Sequence, residues 1–168
     1  ATELAELLNT SVRTPNAIGY ALMAAWGFSH AYGLDLTQVL HPAAIESLTA
    51  EAACEEYTGP GIWEFSPDEA FKVLPDNMPP EWSRVVLENT PGKRSSVPVF
   101  VHAGERDLVI PLAAILKYVQ RACEMGTHIT LDVHSGGHEA VGASGQAWAA
   151  DRLAGEPLGD SDCEVEEP

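Results

Sequence analysis

The spacing of apolar and polar positions changes near residue 95. Before it, apolar residues recur at helical spacing in short segments separated by proline and glycine, and no segment alternates as a strand does. After it, two short runs rich in β-branched residues are each followed by a segment with helical spacing. The pattern predicts a helical region over 1–95, a strand–helix region over 96–155 and an acidic tail over 156–168.

Proline marks the start of the helices predicted in the first region. It suits the first helical turn, where its missing N–H would have no partner. The segment SPDEAFKVL also opens with a serine cap and two acids, which favour a helix N-terminus. The predicted helices cover residues 16–26, 42–57, 66–74 and 79–91.

The pattern of the second region predicts a strand, a helix, a second strand and a second helix, in that order. The strands are VPVFVHAG and THITLDVH, and the helices are PLAAILKYVQRACEMG and EAVGASGQAWAADRLAG. Short connections in this order predict parallel strands of an α/β sheet. Because a two-stranded piece is marginally stable by itself, we expect these to be the last two strands of a larger doubly wound sheet.

Composition excludes several classes of protein. A length of 168 residues with 45% hydrophobic residues is typical of a globular domain with a real core. The net charge of −16, with only nine scattered basic residues, argues against nucleic acid as a partner. No apolar run approaches the length that spans a bilayer, and no basic-then-apolar leader is present in the sequence.

The three cysteines lie far apart and form no C-x-x-C pair, which disfavours a structural zinc site. Their odd number means that at least one thiol is free or bonded to another chain. Cys123 lies on a helical pattern and is expected to be a small buried residue. Cys54 and Cys163 are the better disulfide candidates if the protein is secreted.

Polar residues with catalytic potential follow both predicted strands. Asp107 comes after the first strand, and His138 comes after the second in the run Ser-Gly-Gly-His. Functional groups in parallel α/β sheets gather at the carboxyl ends of the strands. A histidine that deprotonates an alcohol needs a carboxylate to fix its tautomer, so these two residues are the predicted catalytic base and its orienting acid.

Two simpler interpretations stand beside this one. Asp107 could cap the following helix, and the Gly-Gly-His run could be a plain turn. A metal site using His134 and His138, with His102 and His128 near, is a further alternative. The first two of these histidines span a turn and not a helix face, so their spacing carries no ligand geometry.

The run Gly27-Phe28-Ser29-His30-Ala31 is one residue short of the Gly-x-Ser-x-Gly turn that presents a nucleophilic serine. The order Ser29, Asp107, His138 matches the order of an α/β-hydrolase triad. However, the preceding residues are helical in pattern, and too few residues precede Ser29 to form the strands that support such a turn. Ser29 is therefore disfavoured as a nucleophile.

Three segments carry a resemblance to a known family. The runs SVPVFVHAGERDLVIP, CEMGTHITLDVHSGGHEAV and AWAADRLAGEP resemble the carboxyl-terminal part of the α/β-hydrolase secretory lipases of the lipase-A-like group. The segment GFSHAYGLDLTQVLHPAAIESL is similar to the region in or beside the helical cap of that family. The Gly-x-Ser-x-Gly turn, the earlier strands and the oxyanion-hole loop of the family are absent from this chain.

The resemblance implies a secreted carboxylic ester hydrolase that acts on acyl esters or acylglycerols without a cofactor or metal. Asp107 and His138 would be the triad acid and base, and the chain alone would be nearly inactive. The nucleophilic serine would lie in a companion amino-terminal segment, whose cysteines would pair with Cys54 and Cys163. A lipid interface is a candidate contact, and the acyl-binding surface would include Trp26, Phe28, Trp63, Phe65 and Trp82. A non-catalytic interaction domain that keeps a hydrolase-like fold is the remaining alternative.

Overall fold

The computed structural model describes residues 3–14, 17–138 and 143–163. The chain divides between Thr90 and Pro91 into two compact units, one helical and one α/β. The α/β unit contains a parallel pair of strands with flanking helices, which confirms the predicted α/β class at this level. Within the described residues, no helix is both long and apolar enough to cross a membrane.

The helical unit consists of five α-helices and two short 3₁₀ turns over its described residues. Proline occupies the first turn of three of the α-helices, as the sequence pattern indicates. The 3₁₀ turns cover Leu36–Gln38 and Pro75–Asn77. The helices are α1 (Glu3–Arg13), α2 (Ile18–Tyr32), α3 (Pro42–Ala53), α4 (Pro67–Ala70) and α5 (Pro80–Asn89).

The core of the helical unit forms around Trp82 of α5, which is almost completely buried. Its indole nitrogen donates a hydrogen bond to the side-chain oxygen of Gln38 at 3.2 Å. Leu22 of α2 and Leu40 are fully buried in the same cluster. Helix α1 was not predicted from the sequence, although Leu8 and Val12, four residues apart, face this core.

The expected helix over 66–74 is only one turn long. Ser66 and Glu69 form the capping box that begins α4, in agreement with the sequence signal. Phe71 is already extended and forms an isolated antiparallel bridge with Leu40, so its ring enters the core. Burial of this aromatic side chain outweighs the local helix signal.

The α/β unit follows the predicted order of strand, helix, strand and helix. The strands run parallel in a register that pairs Val99 with Ile129 and ends with Gly104 opposite His134. Of the predicted last helix, residues 139–142 lie outside the described residues. The elements are β1 (Val99–Gly104), α6 (Leu112–Glu124), β2 (Ile129–His134) and α7 (Ser144–Leu153).

Helices cover both faces of this two-stranded sheet. On one face, Val101 and Ile129 form a small core with Val119 and Ala122 of α6. On the other face, α7 lies against β1, where Trp148 contacts Phe100 at a ring separation of 5.7 Å. None of the residues of α7 is fully buried. The second face is therefore covered less tightly than the first.

The described part of the acidic tail, which ends at Cys163, contacts the outer edge of β2. The Asp162 backbone N–H donates to the carbonyl of Ile129, and the Asp162 carboxylate accepts from the backbone N–H of Leu131. A disulfide joins Cys123 of α6 to Cys163. The expectation that Cys123 is a simple buried thiol was wrong, because the tail brings Cys163 beside α6. The implied pairing of Cys163 with a companion segment was also wrong, because Cys163 is bonded to Cys123. The thiol of Cys54 is free and exposed in the described structure.

Candidate acid–base site

The carboxyl ends of β1 and β2 bring Asp107 and His138 into contact. His138 Nδ1 lies 2.9 Å from Asp107 Oδ2, so the ring donates a hydrogen bond to the carboxylate in its Nδ1–H form. The two residues are 31 positions apart in the sequence, and they meet because the parallel strands end side by side. The two residues selected from the sequence therefore form one polar pair.

Backbone groups hold the second oxygen of the Asp107 carboxylate. Its Oδ1 accepts from the N–H groups of Val109 and Ile110 at 2.8 and 2.9 Å. The carboxylate thus shapes the turn before α6 but does not cap the helix, whose N-cap is Pro111, and Oδ2 remains available to His138. Burial of the carboxyl opposes ionisation, but the hydrogen bonds from Ile110, His138 and Val109 together lower the pKa of Asp107.

The two members of the pair differ in exposure. The Asp107 side chain is 10% exposed, whereas the His138 side chain is 42% exposed. A shielded, ionised carboxylate behind an accessible imidazole leaves the Nε2 side of the ring for a reacting partner. This is the arrangement in which a histidine acts as a general base.

The loop between β2 and His138 is clamped against the end of β1. The Arg106 backbone N–H donates to the carbonyl of Gly136 at 3.0 Å, and its Nε donates to the carbonyl of Ser135 at 2.6 Å. A Cβ at Gly104 would lie 2.7 Å from the Gly136 carbonyl oxygen. Only glycine at position 104 therefore allows this approach, which fixes where the chain delivers His138.

A second histidine–aspartate pair lies within the same sheet. His102 on β1 and Asp132 on β2 are opposite in the register, with Nδ1 and Oδ2 3.0 Å apart. The Ser144 hydroxyl, at the start of α7, donates to the same carboxylate oxygen. The hydrogen bond from Ser144 is the largest cause of a lowered pKa for Asp132, and the bond from His102 lowers it further against the opposing effect of burial.

The second pair was missed because sequence spacing does not reveal which residues face each other across strands. The signal that could have found it is the predicted parallel pairing, which sets His102 opposite Asp132 once the register is known. Ser144 bonds to the carboxylate and not to the imidazole, so the ring does not activate its hydroxyl. This is the arrangement of a structural network and not of a nucleophile with its base.

His134 contacts His102 of the second pair and the loop that leads to His138 of the first. Its ring stacks on the ring of His102 with centroids 4.3 Å apart. Its Nδ1 accepts a hydrogen bond from the backbone N–H of Gly136 at 3.0 Å. The metal-site alternative required His134 and His138 as ligands, but the described residues contain no group of three or more His, Cys, Asp or Glu side chains that could hold a metal ion.

Ser29 lies in the last turn of α2 and does not follow a strand. Its hydroxyl donates to the carbonyl of Leu34 at 2.6 Å, next to the left-handed Gly33 that ends the helix. This satisfies the hydroxyl within a helix C-terminus. The local structure has no nucleophile turn, in agreement with the sequence argument against Ser29.

The helical unit contains a small apolar pocket that is partly open to solvent. Of the five aromatic residues assigned to an acyl-binding surface, Phe28 and Trp82 line it. Phe65 is buried in the same core, while Trp26 and Trp63 are partly exposed. The lining consists of Leu8, Ala21, Ala25, Phe28, Val39, Phe71, Val73, Pro75, Met78, Trp82 and Val86.

Comparisons with protein-family models, with curated proteins and with solved structures found no match to this chain.

Proposed function

We propose that the chain is a portion of an α/β-hydrolase of the secretory lipase type that cleaves carboxylic esters. In this proposal His138 is the general base and Asp107 is the acid that orients it. The observation that carries the proposal is the 2.9 Å contact between His138 Nδ1 and the shielded Asp107 carboxylate, at the carboxyl ends of neighbouring parallel strands. It agrees with the resemblance of the surrounding segments to that family.

The proposed chemistry is acyl transfer through a serine. His138 Nε2 removes the proton from the serine hydroxyl as its oxygen attacks the ester carbonyl, and the resulting imidazolium is stabilised by Asp107. The imidazolium then protonates the leaving alcohol, and an acyl-enzyme remains. Water, deprotonated by the same Nε2, hydrolyses the acyl-enzyme and returns the serine hydroxyl.

The proposal places the serine outside this chain. Ser29 and Ser144 make the hydrogen bonds described above, and neither bonds to His138 in the described structure. The sheet has only two strands over the described residues, and β1 pairs with a strand on one side only. A companion segment that supplies further strands and the serine would complete both the sheet and the catalytic site.

Secretion is part of the same proposal. The disulfide between Cys123 and Cys163 supports it, because such bonds form and persist in oxidising compartments. The thiol of Cys54 is free to pair with a cysteine of a companion segment. Reduction of a sample purified without thiol reagents, followed by mass mapping, would identify both bonds.

We further propose that the apolar pocket of the helical unit binds the acyl chain of the substrate. Its lining contains no charged or hydrogen-bonding side chain except the indole of Trp82, and that N–H is already bonded to Gln38. Such a lining suits a hydrocarbon chain, since burial of each CH₂ contributes about 0.8 kcal/mol.

Hydrolysis of p-nitrophenyl esters tests the main proposal. The purified chain alone should hydrolyse p-nitrophenyl butyrate near the background rate, whereas the protein isolated together with its companion segment should hydrolyse it rapidly. Rapid hydrolysis by the chain alone, or none by the complete preparation toward any ester from acetate to palmitate, would contradict the proposal.

A chain-length series tests the pocket. Met78→Trp places a larger side chain at the lining and should shift the preferred ester of the complete enzyme to a shorter acyl chain. Met23→Trp is the matched control, because Met23 is exposed on α2 and does not line the pocket. An unchanged preference in Met78→Trp would show that the acyl chain binds elsewhere.

A further inference from the structure

The loop that delivers His138 is held by a group that can change its protonation state. His134 is the last residue of β2, and its Nδ1 accepts from the backbone N–H of Gly136, two residues before His138. An imidazole nitrogen accepts a hydrogen bond only when it carries no proton. The contact therefore requires neutral His134 with its proton on Nε2.

The other contacts of this loop involve groups that keep their protonation state. The Gly136 carbonyl accepts from the Arg106 backbone N–H, and the Ser135 carbonyl accepts from the Arg106 side chain, which stays charged. Glu105 adds a bond from its backbone N–H to the His134 carbonyl. Among these contacts, the bond to His134 Nδ1 alone can be switched by a proton.

We infer that His134 is a positioning residue for His138: its neutral Nδ1 holds the Gly136 N–H and so fixes the loop that presents the catalytic base. Protonation of Nδ1 would set an N–H donor against the Gly136 N–H, and the bond would be lost. The catalytic meaning of this inference rests on the proposed function, but the contact itself does not.

The groups around His134 come from both strands and from the adjoining loop. His102 of β1 stacks on its ring, the Asp132 carboxylate of β2 bonds to His102, and Arg106 binds the carbonyl of the next residue. From α7, Ser144 contributes a hydroxyl bonded to Asp132 and no charge. The network that surrounds His134 thus includes both carboxylate and cationic neighbours.

Two substitutions of His134 distinguish the role of its acceptor atom from the role of its aromatic ring. His134→Asn keeps an acceptor atom near the position of Nδ1 and does not titrate, whereas His134→Phe keeps an aromatic ring for stacking on His102 and has no acceptor. Circular dichroism melts verify that both variants fold. The readout is the low-field proton resonance of His138 Nδ1–H in the ¹⁵N-labelled chain, which reports the hydrogen bond to Asp107.

The expected result is a resonance like that of the unmodified chain in His134→Asn, and a lost or broadened resonance in His134→Phe. An unchanged resonance in both variants, an equal loss in both, or loss in the Asn variant alone would overturn the inference. The esterase assay is separate from this readout. Absence of ester hydrolysis with the expected resonances would refute the proposed function and leave the positioning role supported.

A pH titration gives a second test that does not require the Phe variant to fold. In the unmodified chain, the Gly136 amide shift should follow the titration of His134, measured from the ring Cε1–H of that residue. In His134→Asn, the same amide shift should stay constant over that range. The inference would be overturned if the Gly136 amide shift did not change as His134 titrates in the unmodified chain. An equal change of that shift in the Asn variant would also overturn it.

Discussion

The two histidine–aspartate pairs of the α/β unit have nearly equal contact distances and different surroundings. In both, an Nδ1 lies about 3 Å from a carboxylate oxygen: 2.9 Å for His138 and Asp107, and 3.0 Å for His102 and Asp132. The first pair lies beyond the strand ends, and its ring is 42% exposed. The second lies within the strands, and its ring is 23% exposed.

The two carboxylates are held by different sets of hydrogen bonds. Asp107 uses one oxygen for two backbone N–H groups and the other for His138, so its position is fixed independently of the ring. Asp132 uses one oxygen for both Ser144 and His102, and so links a helix start to a strand. The distance within a pair therefore does not identify a catalytic pair. The accessibility of the ring and the anchoring of the acid distinguish them.

The largest expected difference between the pairs is in catalysis. His138→Ala should lower the rate of ester hydrolysis by the complete enzyme by a factor on the order of 10⁶, because the serine then has no base. His102→Ala is the matched control and should stay within a few-fold. Rates are measured with p-nitrophenyl butyrate at equal concentrations of folded protein. Similar losses in both variants would abolish the distinction between the pairs.

Asparagine substitutions of the two carboxylates should also have different effects, one mainly on activity and the other on stability. Asp107→Asn keeps an acceptor for the N–H groups of Val109 and Ile110 but presents an amide donor to His138, which favours the wrong tautomer. Activity should fall by about 10⁴-fold, and the loss of stability should be smaller than that of Asp132→Asn. Asp132→Asn should instead lower the free energy of unfolding by about 1–2 kcal/mol, because a neutral amide oxygen accepts more weakly from Ser144 and His102 than the charged carboxylate oxygen does.

Urea denaturation of the chain and the ester assay of the complete enzyme measure the two effects of these substitutions. A stability loss in Asp107→Asn larger than that in Asp132→Asn would contradict the assignment of structural and catalytic roles.

Both carboxylates should contribute to the acid dependence of stability. Folding lowers the pKa of Asp107 and of Asp132, so each contributes stability above its ordinary pKa and loses it as the pH falls through the lowered value. The free energy of unfolding should therefore decrease in acid, and with a shallower slope in either asparagine variant. Urea titrations at a series of pH values measure the slope, and identical slopes in all three proteins would refute this linkage.

The smallest expected effect is that of Ser144→Ala. It removes the hydroxyl that most strongly lowers the pKa of Asp132, so it should reduce the acid slope of stability by part of the Asp132 contribution. The cost in stability at neutral pH should be about 1 kcal/mol or less. Ester hydrolysis should be unchanged, and a large loss of activity would instead make Ser144 a catalytic residue.

The sequence predicted the part of the site that depends on strand ends. Asp107 and His138 each follow a strand pattern, and parallel strands bring their carboxyl ends together. The contacts that clamp the His138 loop could not be predicted, since they need the approach of the Gly136 carbonyl to Gly104. The pairing of His102 with Asp132 needed the register of the strands.

The elements and bonds that were predicted wrongly all depend on tertiary contacts. The helix expected over 66–74 ends early because Phe71 gains more from burial and from its bridge to Leu40 than from another helical turn. Cys123 and Cys163 are 40 residues apart, and their pairing depends on the path of the tail along β2. Local pattern carries no information about either contact.

Fluorophosphonate labelling tests most directly whether His138 serves a serine outside this chain. The probe is incubated with the purified chain and with the complete preparation, and the adduct is located by mass spectrometry. The expected result is an unmodified 168-residue chain in both samples and one adduct on a serine of the companion peptide, absent when the preparation carries His138→Ala. An adduct on Ser29, Ser144 or any other serine of this chain would contradict the account.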